Sequence, residues 1–268
     1  MKALTSIMYY VYLCGYTIKT AMMYRLSVFI DMLGAVLAFF VQMTLWQALL
    51  SGQASGTTTA WSMIPYIIIV YFISTFTSIN IAVTIENSIR DGSILYYLVR
   101  PVNYRKYLLF QMLGQNAFKA CLNTLILFGI SALIYGVYLI ESPLLLFYFS
   151  VSMGLGILLM FEITYVCGLL AFWLGRTWFV EWFLQAFTIF FGGSAVPLWF
   201  YPEFLQKLSL CLPFRYVSYE AINIYLGKYS PEMCCSKILI SLLWLAALWL
   251  VGRLMWRAAQ KRIEINGG

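Results

Sequence analysis

The sequence predicts an all-α membrane protein, and three observations carry that expectation. Of 268 residues 63% are hydrophobic and only 10% charged, with a mean hydropathy of +0.85, too little polar surface to clothe the chain in water. The charges cluster, leaving six apolar stretches of about the length a bilayer-crossing helix needs. Finally, the Lys and Arg residues fall in alternate loops.

Residues 1–25 carry Ile7, Tyr10, Val11, Cys14 and Ile18 at helical spacing, with Thr5, Tyr9, Tyr12, Tyr16 and Lys19 around them. That pattern predicts an amphipathic helix in the inner interface. The segment lacks the continuous apolar core and cleavage site of a signal peptide. The six predicted spans follow. Residues 26–50 hold Asp31 as their one charge, 63–85 none, 118–140 Lys119, 144–173 Glu162, 179–196 Glu181, and 238–251 none. Gly34 and Ala38, four apart, read as a helix-packing signal. Tyr96, Tyr97, Tyr104, Trp178, Trp182, Trp199 and Trp256 read as interfacial anchors.

With the N-terminus inside, Lys2, Lys19 and Arg25 precede the first span and Arg90, Arg100, Arg105 and Lys106 follow the second. Arg176 follows the fourth, and Arg253, Arg257, Lys261 and Arg262 close the chain. The loops 51–62 and 141–143 contain no Lys or Arg. Both termini are therefore expected in the cytoplasm, in a plasma-membrane protein whose basic loops face anionic lipid. That placement accounts for the net charge of +7 without nucleic acid. The stretch 198–237 is nearly balanced, with Lys207, Arg215, Lys228 and Lys237 against Glu203, Glu220 and Glu232.

The chain contains no His, which removes the commonest general base and zinc ligand. It has no phosphate-binding G-x-x-x-x-G-K-[ST] loop, since Gly192-Gly193-Ser194 leads to Pro197. Cys14, Cys121, Cys167, Cys211, Cys234 and Cys235 show no C-x-x-C spacing. Free thiols are expected, although Cys211, Cys234 and Cys235 share the outer segment, where a bridge would form under oxidising conditions. No catalytic residue, metal site or cofactor is expected on this chain.

Two segments carry more information. In 86–106, Asp91-Gly92-Ser93 is a break, after which Ile94, Leu95, Tyr97 and Leu98 form an apolar stripe ending at Arg100-Pro101. A short amphipathic helix there either rests on lipid or docks into a soluble partner. In the outer segment, read from Phe190 and including the re-entrant stretch 197–237, a helix break at Gly192-Gly193, Pro197 and Pro202 precedes Phe204, Leu205, Leu208, Leu212, Tyr216, Tyr219, Ile222, Tyr225 and Leu226 at helical spacing around Pro213. That run is too apolar for a solvated loop and too interrupted for a span, and it predicts short helices dipping back into the outer leaflet.

Both segments resemble type-2 ATP-binding-cassette permeases of the daunorubicin-exporter-like group. The pattern I-R-x-G-x-[LI]-x-x-x-L-x-R-P is met by Ile89, Arg90, Gly92, Ile94, Leu98, Arg100 and Pro101. The pattern F-x-G-x-x-x-P-L-x-x-[FY]-P-x-x-L-x-x-x-x-x-x-L-P-F is met by Phe191, Gly193, Pro197, Leu198, Tyr201, Pro202, Leu205, Leu212, Pro213 and Phe214, and Tyr225-Leu226-Gly227 also matches. The resemblance implies one transmembrane domain over 1–268, paired with a second, identical or homologous permease and with two ATPase subunits that bind ATP and Mg. It also implies that the first cytoplasmic loop is a coupling helix on the ATPase, and that the outer re-entrant helices cap the path. One position departs: relatives often carry an acid where this chain has Leu95.

Lys119 lies 22 residues before Glu141 and Glu162 20 after Ser142, so each sits ~30 Å below the outer turn. The leading expectation is an ion pair between them, because unpaired charge at that depth is costly. Lining of an inner vestibule and separate snorkelling are the alternatives, and Asp31 and Glu181 are expected to reach the inner interface. The function expected is export of a hydrophobic or amphiphilic drug, lipid-like molecule or peptide. An ion-coupled transporter, which needs acids at mid-bilayer, and a lipid-modifying enzyme built on Glu86 and Asp91 are the rivals.

Overall fold

The computed structural model describes residues 2–50, 60–76, 81–99, 102–136 and 142–262. Among them there is no β-strand. The helices are α1 (Lys2–Met23), α2 (Arg25–Leu50), α3 (Ala60–Phe76), α4 (Ile81–Arg90), α5 (Ile94–Val99), α6 (Tyr104–Tyr135), α7 (Pro143–Leu169), α8 (Ala171–Leu174), α9 (Trp178–Phe191), α10 (Glu203–Leu210), α11 (Tyr219–Tyr225) and α12 (Pro231–Gln260). Short 3-10 turns at Leu198–Phe200 and Pro213–Tyr216 flank α10.

Local chemistry sets the long helices. Asn103 caps α6 by accepting the Lys106 N–H at 3.1 Å, and Ser230 caps α12 by accepting the Met233 N–H at 3.4 Å. Pro143 and Pro231 occupy first turns, where a missing N–H costs nothing. Among the described residues, five helical stretches are long and apolar enough to cross a membrane: Arg25–Leu50, Met63–Arg90, Tyr104–Tyr135, Pro143–Leu174 and Pro231–Gln260. On α2 the buried stripe is Val28, Ala35, Phe39, Met43 and Trp46, while Phe29, Leu33, Leu37, Val41 and Leu45 face outward. A helix apolar on both faces suits lipid on one side and protein on the other.

α9, the stretch expected as the fifth span, has 14 residues, ~21 Å of helix against a ~30 Å hydrocarbon core. Its two ends are nevertheless at opposite ends of the bundle. Thr177, just before it, meets Glu86 of α4, and Gly193, just after it, meets Tyr66 near the start of α3.

α7 is the central helix, packed against α12, α4 and α11, whereas α6 packs against α1 and α3. α1 runs beside the first half of α6. Tyr10 stacks on Phe110 at 5.3 Å and accepts the Asn103 N–H at 3.1 Å, and Gly114 lies directly against Cys14 and Thr17.

This arrangement corrects the expected Lys119–Glu162 pair. Lys119 Nζ instead meets Asp31 Oδ2 of α2 at 2.6 Å, and Glu162 is held by Arg105, whose Nε lies 3.0 Å from Oε1 and whose second nitrogen reaches Oε2. Equal counts from the outer turn put two residues side by side only if the helices descend together. Here α6 packs on α3 and α7 on α4, so the consecutive long helices face different neighbours.

Candidate functional site

At the end of the bundle that the basic residues assign to the cytoplasm, α4 turns into α5. Ser93 N–H donates to Asp91 Oδ1 at 2.9 Å, closing a turn around Gly92, which sits at φ +74°. The Ser93 N–H and hydroxyl hold the exposed Asp91 carboxyl below its ordinary pKa. Ile94 is buried in a cluster with Ile85, Leu108 and Leu169, and Tyr97 packs between Tyr104 and Tyr107, 4.8 Å from each. These two contacts staple α5 to the bundle. The outward apolar residues are Leu95, Tyr96 and Val99, Val99 being 87% exposed. Of the expected stripe, Ile94 thus points into the chain's own core, Leu98 is half-buried and Leu95 faces out. Ile89 and Arg90 end α4, while Arg100 and Pro101 lie outside the described residues.

A second connection ties this elbow to α9. The buried Glu86 carboxylate accepts the Thr177 N–H at 2.6 Å and the Thr177 hydroxyl at 3.0 Å. It thereby satisfies donors at the start of α9 and places negative charge at the positive end of that helix. The sequence alone offers Glu86 only as part of the rival enzyme reading, not as this cap. The available signal was an acid at the end of an apolar span facing a Thr just before another.

Between α3, α7 and α9 runs a cavity of about 420 Å³. Val70, Ile73, Met160 and Leu184 give it apolar walls, into which Ser74, Thr164, Gln185, Thr188 and Ser218 bring polar groups. Glu181 lines it too, with a buried Oε1 that has no hydrogen-bond partner.

The segment after α9 closes the opposite end of the bundle, and the expected outer-segment residues do come together there. Gly193 accepts the Tyr66 hydroxyl and has φ +69°. A Cβ there would lie 3.0 Å from Tyr66 Oη and 3.1 Å from a Tyr219 ring carbon, so glycine is required twice over. Pro197 leads into the first 3-10 turn, Tyr201 packs on Phe190 at 5.0 Å, and Pro202 starts α10, on which Leu205 is half-buried. Pro213 opens the second turn, whose Phe214 stacks on Phe187 at 5.7 Å.

The segment dips deeply. A Cβ on Gly156 would lie 2.1 Å from the Val217 carbonyl oxygen, and Gly156 is thirteen residues into α7, ~20 Å along it. A buried charge cluster holds the dip together. Glu220, fully buried, takes Arg215 Nε at 2.5 Å, with Lys237 Nζ at 3.7 Å, and Arg215 also donates to Ser209 Oγ at 3.0 Å. Burial lowers the Arg215 pKa, but the Glu220 charge and hydrogen bond outweigh it and raise the value. The near charge balance of 198–237 was the sequence signal for this cluster. Lys228 remains exposed on one side but sits over the Trp199 ring at 3.2 Å, and this partial desolvation lowers its pKa to about 8.

The six cysteines are free thiols, and among the described residues no group of His, Cys, Asp and Glu is arranged to hold a metal ion. Residues 43–267 match the family described as ABC-2 family transporter protein. No curated protein sequence matches the chain.

Proposed function

We infer a function from one premise: this chain belongs to the ABC-2 transporter family. It is therefore a multi-pass membrane permease, the membrane subunit of a transporter. Beyond that, our reading is an exporter permease that moves a hydrophobic or amphiphilic molecule outward across the plasma membrane. Both termini lie in the cytoplasm, and a pair of separate ATP-binding-cassette subunits, carrying ATP and Mg, drives a pair of permeases.

The observation that carries this reading is the elbow. An apolar face of Leu95, Tyr96 and Val99 is presented on a short helix that Ile94 and Tyr97 fix to the bundle. Such a surface suits a groove on a soluble partner, and its fixed base would pass a push from that partner to α4. Through Glu86 and Thr177 the push continues to α9, which lines the cavity and ends at the outer cap. ATP binding would close the ATPase pair, and the cavity would then open outward past the segment around Gly193. Apolar walls with scattered hydroxyls favour an amphiphilic cargo over a strongly charged one.

Ion coupling is less well supported, because Asp31 and Glu162 are each neutralised by a basic partner, and Glu181, with its one unpartnered oxygen, lies in the first turn of α9, towards the elbow end and not at mid-bilayer. The test is copurification with a co-expressed ATP-binding-cassette subunit, followed by ATPase assay in liposomes. A retained subunit whose ATPase rate changes with amphiphilic cargo is expected. A permease that retains no such subunit and transports on an ion gradient alone would overturn the reading.

A further inference from the structure

Another cavity, of about 730 Å³, opens on the cytoplasmic side between α5, the start of α6 and the end of α12. Its wall carries Arg105, Arg253 and Arg257 with no acidic residue. Two guanidiniums converge on one indole: Arg105 lies 5.6 Å from the Trp249 ring centre and Arg253 5.3 Å. Glu162 neutralises Arg105 alone. Among the described residues Arg253 and Arg257 form no ion pair, so a place lined by aromatic rings holds two cations in excess.

We propose that this cavity binds the phosphate head group of an anionic phospholipid from the inner leaflet. The chemistry is that of guanidinium and phosphate, which pair through two parallel hydrogen bonds. The source is lipid rather than free phosphate because of where the cavity lies. It sits at the ends of two helices long and apolar enough to cross a membrane, at the end that the basic residues assign to the cytoplasm, and basic pockets between helices on that side collect anionic lipid. Leu250 and Leu254 stand exposed on α12 beside Arg253 and Arg257, giving acyl chains an apolar track next to the head-group seat. The Trp256 ring borders the cavity at the level where indoles favour the interface. Leu98 and Tyr97 of α5 form the remaining wall, so a bound head group braces the elbow from below. The proposal rests on the membrane placement of the chain and not on its pairing with an ATPase.

The full-length permease, purified from membranes containing phosphatidylglycerol and phosphatidylcholine, is examined by native mass spectrometry for retained lipid. Arg253→Gln/Arg257→Gln is compared with Lys207→Gln, which removes an exposed charge at the opposite end. Arg105 is left in place because it neutralises Glu162. The wild type and Lys207→Gln should retain phosphatidylglycerol over phosphatidylcholine, and the double variant should lose that preference about tenfold or more. A circular-dichroism melt confirms that the double variant is folded. Equal retention by the folded double variant, or no preference in the wild type, overturns the site. Release of the lipid by millimolar inorganic phosphate, with phosphate bound in its place, overturns the lipid assignment in favour of a soluble phosphate. Neither result depends on whether an ATPase copurifies.

Discussion

Glu86 shows how much one carboxylate can do in a chain with few charges. Replacing it with Leu leaves the Thr177 N–H buried without an acceptor, while the hydroxyl keeps only its longer bond to the Ala82 carbonyl at 3.4 Å, a cost of ~1–3 kcal/mol. Glu86→Leu should therefore lower the thermal midpoint of the detergent-solubilised protein, and Glu86→Gln, which keeps an acceptor, should lower it less. Equal midpoints for wild type and Glu86→Leu would remove the capping role. The two ion pairs should behave differently from each other. Arg105 and Glu162 are both largely shielded, with side chains 14% and 8% exposed, so Glu162→Gln strands a buried guanidinium and should cost ~3–5 kcal/mol. Asp31→Asn, in the more open pair with Lys119, should cost distinctly less. Changes at Lys119 and Glu162 should simply add, because each has a different partner. A strong coupling energy between those two in a double-mutant cycle would contradict the observed pairing. Lys228 gives a pH signature. Its pKa is lowered by partial desolvation to about 8 from an ordinary 10.5, so the fold disfavours its charged form. Stability should rise as pH increases from about 8 towards 10.5, the range in which the unfolded chain binds more protons. The Trp199 ring beneath the amine acts against this shift. Lys228→Met should flatten that rise in a pH series of melts, and an unchanged slope would assign it to another group.

At the scale of the element, α5 separates two kinds of apolar residue that its sequence does not distinguish. Ile94 and Tyr97 anchor it inward, whereas Leu95, Tyr96 and Val99 face out. Val99→Asp should therefore leave the permease folded and abolish retention of the ATPase, because losing an anchor or two from such a contact commonly costs a few kcal/mol. Ile94→Asp should instead destabilise the permease itself, by burying an unpaired charge. If Val99→Asp retains the ATPase and transports normally, α5 is a lipid-resting helix. The break at Asp91-Gly92-Ser93 and the breaks at Gly193, Pro197, Pro202 and Pro213 were legible, because glycine and proline mark turns through their own backbone limits. Which face of a six-residue helix is buried was not, since that depends on Tyr104, Tyr107 and Leu108 arriving from another helix. The same holds for Lys119 and Glu162. Counting from the outer turn gave them one level, yet Glu162 meets Arg105, fourteen residues before Lys119 on α6, because their partners depend on how α6 and α7 pack against other helices, which no spacing within one helix records.

At the scale of the whole molecule, the ends of the bundle are defined by which elements meet. Trp46 at the end of α2 stacks on Phe200 at 5.2 Å, and Tyr148 near the start of α7 faces Cys235 at 3.4 Å, so the end of α2 and the starts of α7 and α12 gather with the segment after α9, at the end opposite α5. Composition revealed the membrane class and the five long stretches because their length alone is diagnostic. It gave α9 the same standing, although its helix is only ~21 Å long, because an apolar run through Gly192 and Gly193 looks continuous until the backbone turns there. Because the two ends of α9 lie at opposite ends of the bundle, α10 and the end of α12 lie on opposite sides of the membrane. The charge asymmetry puts α10 outside and the end of α12 inside, and inversion of the whole bundle would reverse both. Single cysteines at Lys207 and Arg257, each exposed, in a background without the native thiols separate the two cases with a membrane-impermeant maleimide on intact cells. Lys207→Cys should label at once, and Arg257→Cys only after the membrane is opened. The opposite pattern would turn the elbow, the arginine-lined cavity and the charge cluster of Glu220 to the wrong sides together. Because α5 and the end of α12 share one end of the bundle with the start of α6, no partial inversion rescues an ATPase docked at α5.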